Sequence, residues 1–244
     1  MAEFSIIKEY FSGQKELGIP NDIVLGEKFG YVPKTEIKDN VLREKKETVA
    51  PAVLEYDKRE ELVKLYYRCS DCSACSLSKT RKNFVFGAGT AYTDVMVIGE
   101  APGEQEDLQG KPFVGAAGEL LTRMLAAIHI DRKGVFIANI LKCRPPMNRT
   151  PNQQEISTCM PILKKQIEII KPKALLLLGK TAAGSVLQND KSVGSLRGIV
   201  HYYDNIPAIV SYHPSALLRD ASWKKPAWDD LQKFERLIKE IRSA

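Results

Sequence analysis

A chain of 244 residues, 44% of them hydrophobic, is long enough for one α/β domain with a buried core and has some length to spare. Its formal charge of +6 is uneven: the stretch through Leu65 is slightly acidic and the basic excess lies beyond it, which suits a polyanionic partner without demanding one. No apolar run reaches transmembrane length and Met1–Ser5 lacks the basic-then-apolar pattern of a secretory signal, so a cytoplasmic protein with no membrane partner is expected, in which five cysteines serve metal ligation or simple burial rather than disulfides.

Met1 to Gly30 carries apolar residues at helical spacing (Phe4, Ile6, Ile7, Tyr10, Phe11) and reads as a short amphipathic helix. Pro33 to Pro51 is charged and poor in large apolar residues, a composition that buries too little surface to offset chain entropy, so a flexible linker is expected. These make residues 1–51 an N-terminal extension, with the globular domain spanning 52–244. Leu54, Leu62, Val63, Leu65 and Tyr66 then carry a helix into Cys69, Cys72 and Cys75.

Beyond the cysteines, apolar strands alternate with helices. Strands are predicted over Asp94–Gly99, Val135–Ile140, Ala174–Gly179 and Ile206–Tyr212, and helices over Gly118–Ile128, Asn152–Ile170, Thr181–Leu187 and Trp228–Ile241. Continuous apolar strands joined by helices predict an α/β fold, a three-layer αβα sandwich around a central, mainly parallel four-stranded sheet. Ligands gather at the carboxyl ends of such strands. Three of the four strands run into distinctive loops there: Gly99-Glu100-Ala101-Pro102-Gly103, Asn139 with Lys142-Cys143-Arg144-Pro145-Pro146, and His213-Pro214-Ser215. One shared crevice is expected.

Cys69, Cys72 and Cys75 form two overlapping C-x-x-C pairs, Cys143 lies in a Pro-rich turn, and Cys159 falls in the following helix, from which it can point back at that turn. Four soft thiolates from two distant regions suit tetrahedral zinc or an iron–sulfur cluster, and spacing alone does not say which of the five is spare. A second pair spread over a turn and a helix makes a wider cage than a zinc knuckle.

Three further segments accompany the glycine-rich loop: Gly110-Lys111-Pro112-Phe113-Val114-Gly115, Met147-Asn148-Arg149 after the Pro-Pro turn, and Ala216-Leu217-Leu218-Arg219 after His213. Taken singly, each has a bland reading. Phe113 is a core aromatic, Asn139 caps a turn, His213 is a satisfied turn histidine, and the carboxylates Glu100, Glu106 and Asp107 make an acidic turn. The ordered set, from about Cys72 to the last helix, resembles the family 4 uracil-DNA glycosylases, the iron–sulfur branch of that superfamily.

The resemblance implies a 4Fe–4S cluster on Cys72, Cys75, Cys143 and Cys159, with Cys69 left over. It implies hydrolysis of the N-glycosidic bond of deoxyuridine in single- or double-stranded DNA by a monomer, releasing uracil and leaving an abasic site for base excision repair. Phe113 would stack on the extruded base, Asn139 would read its edge against cytosine, and Ala101 and Asn148 would line the base and sugar site. His213 would donate to O2 as charge develops there, and Glu100 or Glu106 would steady the sugar cation and the attacking water. Leu217 or Leu218 would wedge into the duplex, while Arg219, Arg144, Arg149 and Lys142 would meet phosphates. The aspartate base of the better-known family 1 enzymes is absent, since the loop here reads Glu100-Ala101, and Ala101 lacks the bulk that excludes thymine there. A repair or replication protein is a candidate partner for the extension.

Two other readings stand beside it. One is a non-catalytic or covalently trapping member of the same superfamily, disfavoured for trapping because Met147-Asn148-Arg149-Thr150-Pro151 has no histidine. The other is a nucleotide-binding oxidoreductase, although Gly99-x-x-x-Gly103 lacks the G-x-G-x-x-G pattern.

Overall fold

In the computed structural model, residues 57–243 are described. The expected helix near the N-terminus, the linker and the domain start at Ala52 lie outside them. The described chain opens on α1 (Lys58–Cys69), whose Asp57 cap accepts hydrogen bonds from the Arg59 and Glu60 N–H groups.

Six strands form one sheet: β1 (Ala88–Gly89), β2 (Val95–Gly99), β3 (Phe136–Asn139), β4 (Ala174–Leu178), β5 (Val200–Tyr203) and β6 (Ile206–Ser211), in the order β1-β3-β2-β4-β6-β5. The inner four are mutually parallel and are the four strands the sequence predicts. The two edges, β1 on β3 and β5 on β6, are antiparallel. Neither was expected. A two-residue strand carries no period, and β5 is only partly buried, so its apolar alternation is weak.

Side chains on the inner strands alternate between the two faces, as the period of two requires. Met96, Ile98, Leu175, Leu177 and Val210 face a core closed by α1, by α4 (Gln153–Ile170) and by α5 (Lys180–Leu187). Val95, Val97, Leu176, Leu178 and Ile209 face one closed by α3 (Ala116–Ala127) and the last helix, α8 (Lys224–Ser243). Both faces are therefore dry, which fits strands that are apolar throughout. Three shorter helices, α2 (Glu104–Gln109), α6 (Val193–Leu196) and α7 (Pro214–Arg219), sit among the loops beyond the strand ends. Among the described residues no helix is long and apolar enough to cross a membrane.

The chain runs from β2 outward to β3, then crosses back to β4 on the other side of β2. That reversal puts a topological switch point between β2 and β4, where the loops after the two strands diverge and leave a crevice.

Candidate active site

A pocket of about 830 Å³ opens at this switch point, lined by residues from all three distinctive loops, among them Glu100, Ala101, Phe113, Asn139, Asn148 and His213. The shared crevice expected from strand order is present. Across the switch point the Thr181 hydroxyl, at the start of α5, donates to Glu100 Oε2, so the carboxylate after β2 is held by the helix after β4.

Asn139 ends β3 directly beside Gly99, its register partner at the end of β2. A side chain at Gly99 would collide with both Asn139 Oδ1 and the Phe113 ring, at 2.4 and 2.6 Å from its first carbon. The missing side chain is what lets amide and ring converge. Asn139 is almost wholly buried, yet its Oδ1 has no hydrogen-bond partner. A buried acceptor left unpaired costs roughly 1–3 kcal/mol, which a ligand bringing an N–H would recover.

Phe113 adopts φ +53°, in the left-handed region where a bulky residue is costly by roughly 1–3 kcal/mol. Two ionic side chains hold it there. Arg132 donates to the Pro112 and Phe113 carbonyls at 3.0 and 2.8 Å, and also to the Gly118 carbonyl and Thr122 hydroxyl. From the other side, Glu106 Oε1 accepts from the Val114 and Gly115 N–H groups at 2.9 and 3.0 Å, and its Oε2 accepts from Gly103 at 3.1 Å. Gly118 completes the clamp, because a side chain there would fall 1.8 Å from the Phe113 carbonyl oxygen.

His213 follows β6 and caps α7. Its Nδ1 accepts from the Ser215 N–H at 3.2 Å and lies 2.8 Å from the Ser215 hydroxyl. An Nδ1 that accepts from backbone carries no proton, so the neutral ring bears its hydrogen on Nε2. Burial, assisted by Arg219 and opposed by Glu106, lowers the pKa to about 4, which keeps the ring neutral near pH 7. The Phe113 and His213 rings are neighbours, with centroids 5.4 Å apart at 32°. That is too close to sandwich a planar base between two stacking faces, so a ligand that stacks on Phe113 meets His213 along its edge.

Several expected roles change once partners are visible. Both oxygens of Glu106 accept backbone N–H bonds, which makes it a brace for Phe113. Asp107 is buried, and its carboxylate accepts from the Lys82 and Asn83 N–H groups. Lys142 is no phosphate contact. It is fully buried, donating to the Asn139 carbonyl at 2.9 Å and to Gln166 Oε1 at 2.7 Å, and burial lowers its pKa to about 8. Leu217 packs into the core at 2% exposure while Leu218 stands out at 49%, because successive helix positions point about 100° apart. Only Leu218 is placed to meet a partner.

Arg149 makes a two-pronged bond to Glu155, at 2.9 and 2.6 Å, and so anchors its loop to the start of α4. Arg144 donates to Asn148 Oδ1 at 2.8 Å and stands 3.5 Å from Glu104. Arg219 is exposed on the pocket rim. The sequence reading missed Thr181 and Arg132, which belong to no motif and are defined only by what they touch.

The four cysteines singled out by resemblance come together on the α1–α4 side of the sheet. Burial raises the Cys143 thiol, the Arg81 hydrogen bond opposes this, and the neighbouring Cys75 and Cys72 add to the rise. Cys159 is likewise pushed up to about 11 by burial, with Lys142 opposing and Cys143 and Cys72 adding. Arg81 donates to Cys143 Sγ at 3.1 Å and to the Cys72 carbonyl at 2.8 Å, and the Lys142 N–H points at Cys159 Sγ at 3.3 Å. Burial thus favours the neutral thiols here, while the Arg81 and Lys142 charges favour the thiolates that a metal would require. Among the described residues no three His, Cys, Asp or Glu side chains close on a point as a single ion's ligands would. Cys69, at the end of α1, is buried and its thiol is pushed up to about 12, chiefly by burial.

The uracil DNA glycosylase superfamily profile matches residues 86–232, more than half of the chain and all of the pocket. The chain belongs to that superfamily. Its relatives include type-4 uracil-DNA glycosylases from Thermotoga maritima, 41% identical over 74% of this chain and 97% of the relative, and from Pyrobaculum aerophilum, 40% identical over 71% and 93%. A third, from Archaeoglobus fulgidus, is 37% identical over 73% of this chain and 94% of its own. Membership in the family, and in its type-4 branch, accounts for the ordered motifs around the pocket.

Proposed function

We propose that the chain is a uracil-DNA glycosylase, hydrolysing the bond between deoxyribose and uracil to leave an abasic site. The observation that carries this is the pairing of Asn139 with His213. A buried, unpartnered carbonyl oxygen and an Nε2–H edge face a pocket floored by an aromatic ring, complementary to uracil, which presents N3–H between two carbonyl oxygens.

Asn139 Oδ1 accepts N3–H and its amide donates to O4, while cytosine would set its N4 amino group against that amide. His213 donates from Nε2 to O2, where charge accumulates as the glycosidic bond lengthens, and its neutrality leaves Nδ1 anchored to Ser215 throughout. Phe113 stacks on the base, with the Ala101 N–H at its edge. Glu100 and Glu106 both line the pocket, but the Glu106 oxygens already accept backbone N–H bonds, so Glu100, held by Thr181, is assigned to steady oxocarbenium character and orient the water. Glu106 acts by positioning Phe113. Asn148, fixed by Arg144, adjoins the sugar and water side, and Arg219 takes a phosphate with Leu218 beside it.

The thiol set supports a 4Fe–4S cluster on Cys72, Cys75, Cys143 and Cys159, which when bound supplies a structural cross-link between the segment after α1 and α4. The choice of a cluster over a single zinc ion follows the type-4 relatives and the split of the four cysteines between the segment after α1, the turn after β3 and α4. We place the glycosylase domain at 52–244 and assign residues 1–51 to an extension that recruits a repair partner, in a monomeric enzyme of the cytoplasm. Pull-downs with and without those residues test the recruitment.

The deciding experiment incubates the protein with a single-stranded oligonucleotide carrying one uracil, followed by alkali. Strand breaks at uracil, and none with cytosine in its place, are expected. Tight binding without breaks would instead identify a non-catalytic reader.

A further inference from the structure

The pocket is roomier than one pyrimidine requires, and the wall beyond His213 is aromatic. Tyr212 and Trp223 both line it. Their rings are stacked, with centroids 5.0 Å apart and planes inclined by 17°. The Arg197 guanidinium lies 6.0 Å from the Tyr212 ring centroid, itself held by Asp230 at 3.0 Å and by the Pro226 carbonyl at 2.5 Å. Cation, phenol and indole thus form one cluster in which Trp223 has one face covered by Tyr212 and remains 39% exposed at the pocket.

The indole is held firmly. Trp223 ends a short turn, Ala221–Trp223, that joins α7 to α8, and Asp220 fixes that turn by accepting from both the N–H and the hydroxyl of Ser222. An exposed indole backed by a stacked ring, with a cation near that ring, makes a flat, electron-rich, low-entropy surface. Nucleobases fit such surfaces, because every base has a π face to offer. One cavity is lined by both the Phe113 floor and this wall, and Arg219 lines it as well, supplying a cation for the phosphate that would join two successive nucleotides.

We propose that Trp223, backed by Tyr212 with Arg197 near that ring, is a stacking platform for the nucleobase next to the extruded uracil on the same strand. The proposal rests on the uracil-DNA reading of the pocket and extends it to a second, sequence-tolerant base site. It also predicts firm binding of single-stranded substrate, which has no duplex to keep the neighbouring base stacked.

The test uses the full-length protein and its Trp223→Phe and Trp223→Ala forms on two single-stranded oligonucleotides, one with thymines flanking the uracil and one with base-less tetrahydrofuran residues in their place. On the thymine substrate Trp223→Ala is expected to raise KM about tenfold with kcat nearly unchanged, and Trp223→Phe to stay close to the parent. Removing the flanking bases should raise the parent's KM by a similar factor and leave that of Trp223→Ala as it was. An unchanged KM in Trp223→Ala, or two losses that multiply, overturns the platform. Absence of uracil release by the parent enzyme rejects the glycosylase reading instead. The platform is then judged by quenching of tryptophan fluorescence, which must occur with a thymine oligonucleotide, be lost in Trp223→Phe and be absent with a base-less strand.

Discussion

The base pocket and the cysteine lobe, joined through the segment from Asn139 to Cys143, differ in what holds them together. Around the pocket, polypeptide groups satisfy one another: Arg132 and Glu106 brace Phe113, Ser215 fixes the His213 tautomer, and Thr181 holds Glu100. Asn139 Oδ1 stands out there as a buried acceptor without a partner. The cysteine lobe instead gathers partly buried thiols beside the Arg81 and Lys142 charges, with Arg81 donating to Cys143 and the Lys142 N–H to Cys159. The pocket is preorganised by the chain, whereas the lobe is where the proposed cluster would supply the cross-link. Lys142 touches both, with its N–H at Cys159 and its ammonium on the Asn139 carbonyl.

The contrast can be broken most forcefully at Cys143. Serine there should give colourless protein that unfolds well below the parent's melting temperature, and a Cys143→Ser form with parental stability and full activity would remove the structural cluster from the account. Next in size, His213→Ala should lower kcat by roughly 10²–10³ while the cluster absorbance stays intact, since it removes one donor to developing charge and nothing from the lobe. Arg132→Met should then cost about ten- to a hundredfold in kcat/KM, with Arg132→Lys recovering part of it and free uracil inhibiting the methionine form more weakly. Equal uracil inhibition in parent and variant would mean that Phe113 holds its posture unaided.

A smaller effect separates the two regions by pH. The His213 pKa is lowered from its ordinary 6.5 to about 4, so the unfolded chain binds more protons than the folded one across that window. The stability tied to the neutral ring is complete above about pH 6.5 and declines as pH falls towards 4. Nitrogen chemical shifts of His213 should accordingly report an unprotonated Nδ1 from pH 8 down to about 5. Titration of that nitrogen near pH 6.5 would contradict a desolvated ring whose Nδ1 accepts from Ser215. The mildest change is Leu218→Ala, which should slow release severalfold from duplex and hardly at all from single strands, whereas Leu217→Ala should lower stability by about 2–5 kcal/mol as a core truncation.

Much of this was readable in the order of residues. The four parallel strands declared themselves as apolar runs ending in Gly99, Ile140, Gly179 and Tyr212, within one residue of the ends in the fold, and the loops that follow them carried the pocket's Glu100, Phe113 and His213. Chemistry that depends on residue type at a strand end survives translation into one dimension. Partnership does not. Glu100, Glu106 and Asp107 are alike as letters, and only packing puts Glu100 and Glu106 on the pocket, ties Glu106 to the Gly103, Val114 and Gly115 N–H groups and sends Asp107 to the Lys82–Asn83 turn. Lys142 and Arg219 were equal candidates for phosphate until burial put the first beneath the sheet end and left the second on the rim.

The sequence by itself determined the layered α/β class, the strand-end crevice and the family, because hydrophobic period and motif order are properties of the chain taken locally. Tertiary structure alone decided which leucine faces outward, which tautomer His213 adopts and why Phe113 tolerates a left-handed backbone. Those depend on residues such as Arg132, Thr181 and Ser215 arriving from elsewhere in the fold, and on whether water can still reach the groups they meet.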